Sequence, residues 1–207
     1  QASSSAASDV YKRQRRHATS KLKNNNLLDI NSFGFRGEAL PSLGAVGRLR
    51  IVSHKEGHGA YEITVNGGDF SNTKPAARVP GTTIELRDLF YATPARLKFL
   101  RSNKSELKAI TDAVKGLSIS TPSVGFTLID KTARKSRTLL QVQKESDDSI
   151  KAKKNRLSRI LGQEFSKNAI SIDVTRDDIN LTGYVCLPTY ARASNAVSYT
   201  HLTLPTT

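Results

Sequence analysis

The sequence is poor in cysteine, in acidic side chains and in long apolar runs. Cys186 is the single cysteine among 207 residues. It cannot form an internal disulfide, and no second thiol is present to build a cysteine metal site. It lies in an apolar, strand-like pattern and reads as a buried core thiol in a reducing setting. No stretch approaches the ~20 apolar residues of a membrane-spanning helix, so no membrane partner is expected. His54 and His58 flank Gly57 with no further ligands at suitable spacing, so they read as turn residues and no metal site is expected. No internal repeat is found.

Acid is scarce in a way that matters. Lys and Arg number 32 against 18 Asp and Glu, for a formal charge of +14. The excess is clustered. Residues 1–54 carry nine basic and three acidic side chains, residues 94–108 five and one, and residues 131–159 ten and three. Clustered cations are the footprint of a polyanion such as DNA, met through its phosphates and therefore salt-sensitive and sequence-blind. Each cluster alone reads equally well as a solvated basic face.

What is present is a globular composition, 37 % hydrophobic and 24 % charged, of a length for one or two domains. The chain is organised around Phe33-Gly34-Phe35-Arg36-Gly37-Glu38-Ala39-Leu40-Pro41-Ser42-Leu43. Glycine admits positive φ and lets the backbone approach a ligand. The first N–H groups of a following helix have no partner within it and suit an anion such as phosphate. Pro41 falls in the first helical turn, where its missing N–H costs little. By itself such a loop more often only turns the chain.

Three further pieces stand with it. Arg16-His17-Ala18-Thr19-Ser20-Lys21 lies upstream. Gly81-Thr82 opens a strand downstream, and Asp88-Leu89-Phe90-Tyr91-Ala92-Thr93-Pro94-Ala95-Arg96-Leu97-Lys98-Phe99-Leu100 follows it. In this order and spacing the sequence resembles the MutL family of DNA mismatch repair proteins, members of the GHKL ATPases with gyrase and the histidine kinases. The likeness continues more loosely to about Arg192. One departure is Ala92, where the family commonly has Asn.

The resemblance implies an α+β fold, a partial GHKL (Bergerat) α/β sandwich followed by the start of a domain like the second domain of ribosomal protein S5. Residues 15–145 would be the C-terminal part of the ATPase domain, with the nucleotide lid over 15–32, and 146–196 the start of the second domain. Residues 1–14 and 197–207 resemble sequencing-adapter read-through and are expected to be non-native tails. Thr19, Ser20, Lys21, Gly34, Phe35, Arg36, Gly37, Glu38, Ala39 and Leu40 would meet ATP phosphates, and Thr82 a water network near adenine. The family's E-x-x-D/N general base and D-x-G adenine loop have no counterpart here, so no catalytic or magnesium-binding residue is assigned. Glu38 is the carboxylate nearest the loop and is expected to be architectural. The intact protein would use ATP and Mg2+, form a homodimer, contact DNA and pass the signal of a mismatch-recognition protein to a downstream nuclease or helicase. A cytoplasmic, nucleoid-associated location follows if the source is bacterial. The alternative is a non-enzymatic basic nucleic-acid-binding module in which Gly34 and Gly37 are merely structural.

The remaining chain reads as alternating elements. Strands are expected over 48–53, 61–65 and 83–89, with a turn at Asn66-Gly67-Gly68 and a polar loop over 69–80. Gly47 is expected to cap the first helix, and Leu97 and Leu100 to turn inward. A helix over 105–118 carries Leu107, Ile110, Val114 and Leu117 as a core stripe. Residues 143–155 read as a polar boundary, followed by a helical face at Leu157, Ile160 and Leu161 and two strands joined at Arg176-Asp177-Asp178.

Overall fold

A computed structural model describes residues 34–146, 149–177 and 179–190. The expected lid and both expected tails lie outside the described residues. By contacts the chain divides into two compact units, 1–100 and 101–207. The helix that begins beyond the expected 145/146 boundary therefore packs in the same unit as the one before it.

The first unit opens with helix α1 (Ala39–Val46) and strand β1 (Arg48–His54). Strands β2 (Ala60–Asn66), β3 (Asp69–Phe70), β4 (Lys74–Ala76) and β5 (Gly81–Arg87) follow. They form one antiparallel sheet in the order β3-β2-β1-β5, with β4 also on β2. The alternation seen in the sequence is real. Leu49 and Ile51 pair across from Val65 and Ile63, and these four side chains form a fully buried core. Each such aliphatic side chain contributes about 1.5–3 kcal/mol by leaving water. The span 69–80 is not all loop, because β3 and β4 add short edge pairings there. Gly67 and Gly68 join β2 to β3, both at positive φ, as a two-residue hairpin turn requires.

Gly47 ends α1, but in extended backbone and not as a left-handed cap. Its reason is space. A Cβ there would stand 2.8 Å from Leu86 Cδ1 and 3.2 Å from the Arg87 carbonyl oxygen.

The opposite face of the sheet is polar. Arg50 on β1 reaches Glu62 on β2 at 2.6 Å and Glu85 on β5 at 3.1 Å. The hydrogen bond from Arg50 pulls the Glu62 carboxyl below its ordinary value of 4.5. That contribution is therefore complete above about pH 4.5 and is lost as pH falls through the lower folded value. Glu62→Gln is expected to flatten the acid limb of a stability-versus-pH curve followed by urea unfolding. An acid limb unchanged by the substitution would remove the ion pair as its cause.

After β5 the chain turns sharply. Asp88 and Phe90 both hold positive φ, at 49° and 68°. Arg48 fixes this turn, its Nε 3.0 Å from Asp88 Oδ2 and its guanidinium 4.6 Å above the Tyr91 ring. Helix α2 (Pro94–Leu97) is one turn long with Pro94 at its start. Leu97 and Leu100 are exposed, against the expectation that they turn inward. A single helical turn presents no stripe for a core to accept.

The second unit contains helix α3 (Asn103–Ser120), strands β6 (Phe126–Asp130) and β7 (Arg137–Val142), helices α4 (Ile150–Leu161) and α5 (Gln163–Asn168), and strands β8 (Ala169–Arg176) and β9 (Ile179–Cys186). The Ser102 side chain caps α3 and the Ser149 side chain caps α4. α4 thus begins inside the span read as a polar boundary. Its polar residues are not a linker, because Arg156 among them is wholly buried.

The Arg156 guanidinium donates to the carbonyls of Ser118, Pro122, Val124 and Gln143. It holds the end of α3, the loop after it and the end of β7 to α4. The side of α3 bearing Ile110 and Leu117 is left about half exposed, so the expected stripe is only partly core.

β8 and β9 pair as a hairpin. Tyr184 anchors it, donating to the Ile150 carbonyl at 2.6 Å and meeting Phe165 edge-on. The other face carries Ile170, Ile172 and Val174 beside Ile179, Leu181 and Val185, and all but Ile172 are about half exposed. Cys186 is a free thiol and half-buried, not fully buried as expected. No helix among the described residues is long and apolar enough to cross a membrane.

Candidate nucleotide site

The glycines of the organising segment adopt the conformation that motivated singling them out. Gly34 and Gly37 have φ of +79° and +62°. The Gly37 N–H donates to the Gly34 carbonyl at 3.2 Å, closing a tight turn. Between them Phe35 is half-buried, and the Arg36 guanidinium lies 5.5 Å from its ring centroid.

Glu38 occupies the position before α1 and makes no side-chain capping bond to the helix start. The first helical bond runs from the Ser42 N–H to the Glu38 carbonyl at 3.0 Å. Pro41 is buried in the first turn and has no N–H to satisfy. No acidic side chain lies in that turn to neutralise the positive end of the helix.

The sheet fixes where this helix start points. Gly44 packs on Val65 and Leu49, with a built Cβ 3.0 Å from Val65 Cβ. Gly47 and Gly44 carbonyls accept from the Gly67 and Gly68 N–H groups at the hairpin turn. The C-terminal end of α1 therefore lies at the Leu49–Val65 end of the sheet. Leu40, one turn earlier, packs on the same core. The N-terminus is directed toward the other end of these strands, where Ser53 and Thr82 stand opposite each other in register.

Gly34 to Leu40 and Thr82 thus belong to the same end of one sheet face. Thr82 is exposed, and its Oγ1 lies 3.0 Å from Ser53 Oγ. Thr19, Ser20 and Lys21 lie outside the described residues.

The reverse face of the sheet carries an open groove of about 410 Å³ lined by Arg48, Arg50, Arg87, Thr64, Asn66 and Glu85. Its cations are largely compensated in place, Arg48 by Asp88, Arg50 by Glu62 and Glu85, and Arg87 by Glu85. Among the described residues no group of three or more His, Cys, Asp or Glu could hold a metal ion.

No protein-family model matches the chain. It is 48 % identical over 185 residues to the DNA mismatch repair protein MutL of Rhodospirillum rubrum, covering 89 % of this chain and 29 % of that one. With the MutL of Rhizobium etli it shares 46 % over 194 residues, 93 % of this chain and 30 % of that one. Over this shared stretch the chain belongs to the MutL family. It spans about three-tenths of the length of these relatives.

Solved MutL structures agree in fold. The Aquifex aeolicus MutL ATPase domain complexed with ADP is similar with a TM-score of 0.58 and 27 % identity, over 72 % of this chain and 55 % of that one. The N-terminal domain of a DNA repair protein matches with a TM-score of 0.64 over 86 % of this chain and 54 % of that one, at 21 % identity, which speaks for the fold alone.

Sequence reasoning missed Ser53 as a neighbour of Thr82. The signal was available only through strand register, since 29 residues separate the two. It also missed the left-handed backbone at Asp88 and Phe90, residue types for which positive φ is uncommon. Ala92, at the family's Asn position, follows this turn immediately.

Proposed function

We propose that this MutL-family chain is the lid and sheet portion of a DNA mismatch repair ATPase. In the intact protein Thr19, Ser20 and Lys21 and the segment Gly34 to Leu40 would hold the phosphates of ATP, and Thr82 would stand toward adenine. The observation that carries the reading is the turn of two left-handed glycines leading into an eight-residue helix with no acid in its first turn. Such a start offers backbone N–H donors and the positive end of a dipole to phosphate oxygens. Magnesium would travel with the ATP, and no described residue is assigned to it. Bound nucleotide supplies a γ-phosphoryl group for hydrolysis. The chain's own residues bind and orient it. A general base is required to activate water. Glu38, exposed and at the helix cap, is read as architectural.

The same proposal covers the division into an ATPase part over 15–145 and the start of an S5-like domain over 146–196. Homodimerisation, and the coupling of a mismatch-recognition protein to a downstream nuclease or helicase, belong to it as well. DNA contact is supported by Arg96, Lys98, Arg101, Lys104 and Lys108, all exposed.

Two measurements test the reading. The full-length protein should bind ADP in a calorimetric titration, while this chain alone should show no ATP turnover above its Lys21→Ala variant. Absence of ADP binding at millimolar concentration would sink the nucleotide assignment. DNA binding should weaken steeply with added salt, and a flat salt titration would argue against phosphate contacts.

A further inference from the structure

We propose that Ser53 is a positioning residue for Thr82, and that the two hydroxyls together read the base end of the nucleotide. The inference rests on the nucleotide reading above and deepens it. Thr82 is β-branched and stiff at χ1, but its hydroxyl proton rotates freely unless a partner fixes it. Ser53 Oγ, 3.0 Å away on the neighbouring strand, is that partner.

Two hydroxyls at this distance share one proton between them. The pair then presents one remaining proton and spare lone pairs at a fixed spacing. That combination suits a ring nitrogen and exocyclic amine, directly or through water.

The surroundings favour a planar ring. Thr82, Ile84 and Leu86 alternate onto the same face of β5, paired with Ser53, Ile51 and Leu49. The contacts of α1 with the sheet run to β1 and β2. Ile84 is left 49 % exposed, an apolar ledge beside the hydroxyl pair. Without Ser53 the Thr82 hydroxyl must be ordered at the cost of binding. Ser53 therefore acts through Thr82 and needs no ligand contact of its own.

The test is a double-mutant cycle on the full-length protein with ADP as the probe, read by calorimetry. Ser53→Ala and Thr82→Ala should each weaken binding by about 3- to 10-fold, the range of one net hydrogen bond. The double variant should be no worse than Thr82→Ala, and Ser53→Thr, which keeps the hydroxyl, should restore affinity. Additive losses in the double variant, or wild-type affinity for Ser53→Ala where Thr82→Ala binds weakly, would overturn the role of Ser53. Unchanged affinity for Thr82→Ala would instead remove the assignment of Thr82 to the nucleotide, and the proposal would fall with it.

Discussion

Arg156→Ala is expected to destabilise the chain by about 3–5 kcal/mol, the cost of breaking a buried charge pair by removing one partner. The guanidinium is fully buried and donates to four main-chain carbonyls drawn from three separate segments. Its Nε is 3.8 Å from Glu145, itself buried. Removing the side chain strands all of these acceptors away from water, and each unsatisfied group carries its own desolvation cost. Burial pulls Arg156 below the ordinary arginine range, and Glu145 opposes that pull. An arginine nevertheless keeps its charge in a protein, so the loss should not depend on pH near neutrality. Arg156→Lys should recover only part of it, because an ammonium is a point charge and cannot match a planar fork. Urea unfolding followed by circular dichroism measures the effect. A loss under about 1 kcal/mol would mean that water reaches the carbonyls once the side chain is gone.

Gly37→Val is expected to weaken nucleotide binding by the full-length protein by more than about 100-fold, or some 2.8 kcal/mol. Two costs combine. Gly37 has φ of +62°, where a β-branched residue is a genuine outlier, and an L-residue there costs roughly 1–2 kcal/mol. The side chain would also stand at the mouth of α1, where phosphate oxygens must approach the backbone. Gly37→Asn separates the two, because Asn tolerates the left-handed region while still carrying a side chain. A loss shared by Asn and Val is steric; one confined to Val is strain. Undiminished affinity in the folded Val variant would show that this turn is not the phosphate cradle.

The parts of the fold legible in the sequence are those set by near neighbours. Alternation at Leu49 and Ile51, and at Ile63 and Val65, announced the core strands because strand periodicity is local. Gly34 and Gly37 announced the turn because few other residues adopt its backbone. Arg156 was not legible. Its burial depends on carbonyls at residues 118, 122, 124 and 143, which converge only after folding. The misread stripe on α3 has the converse cause. Helical spacing shows which residues share a face, but not whether anything covers it, and Ile110 and Leu117 are half exposed. For the site, the residue types at Gly34 to Leu40 and at Thr82 were visible, whereas the hydroxyl contact to Ser53 needed strand register.

The β8–β9 hairpin has a practical consequence for handling the chain. A two-stranded ribbon with branched aliphatics along one side and open hydrogen-bonding edges is a template for sticking to itself. Concentrated samples will therefore oligomerise through this ribbon. Light-scattering mass should climb with concentration, and a charge placed at Val174 or Leu181 should suppress the climb while leaving the anchor at Tyr184 intact. Solubility of the isolated polypeptide is thus governed by one ribbon remote in sequence from the glycine turn.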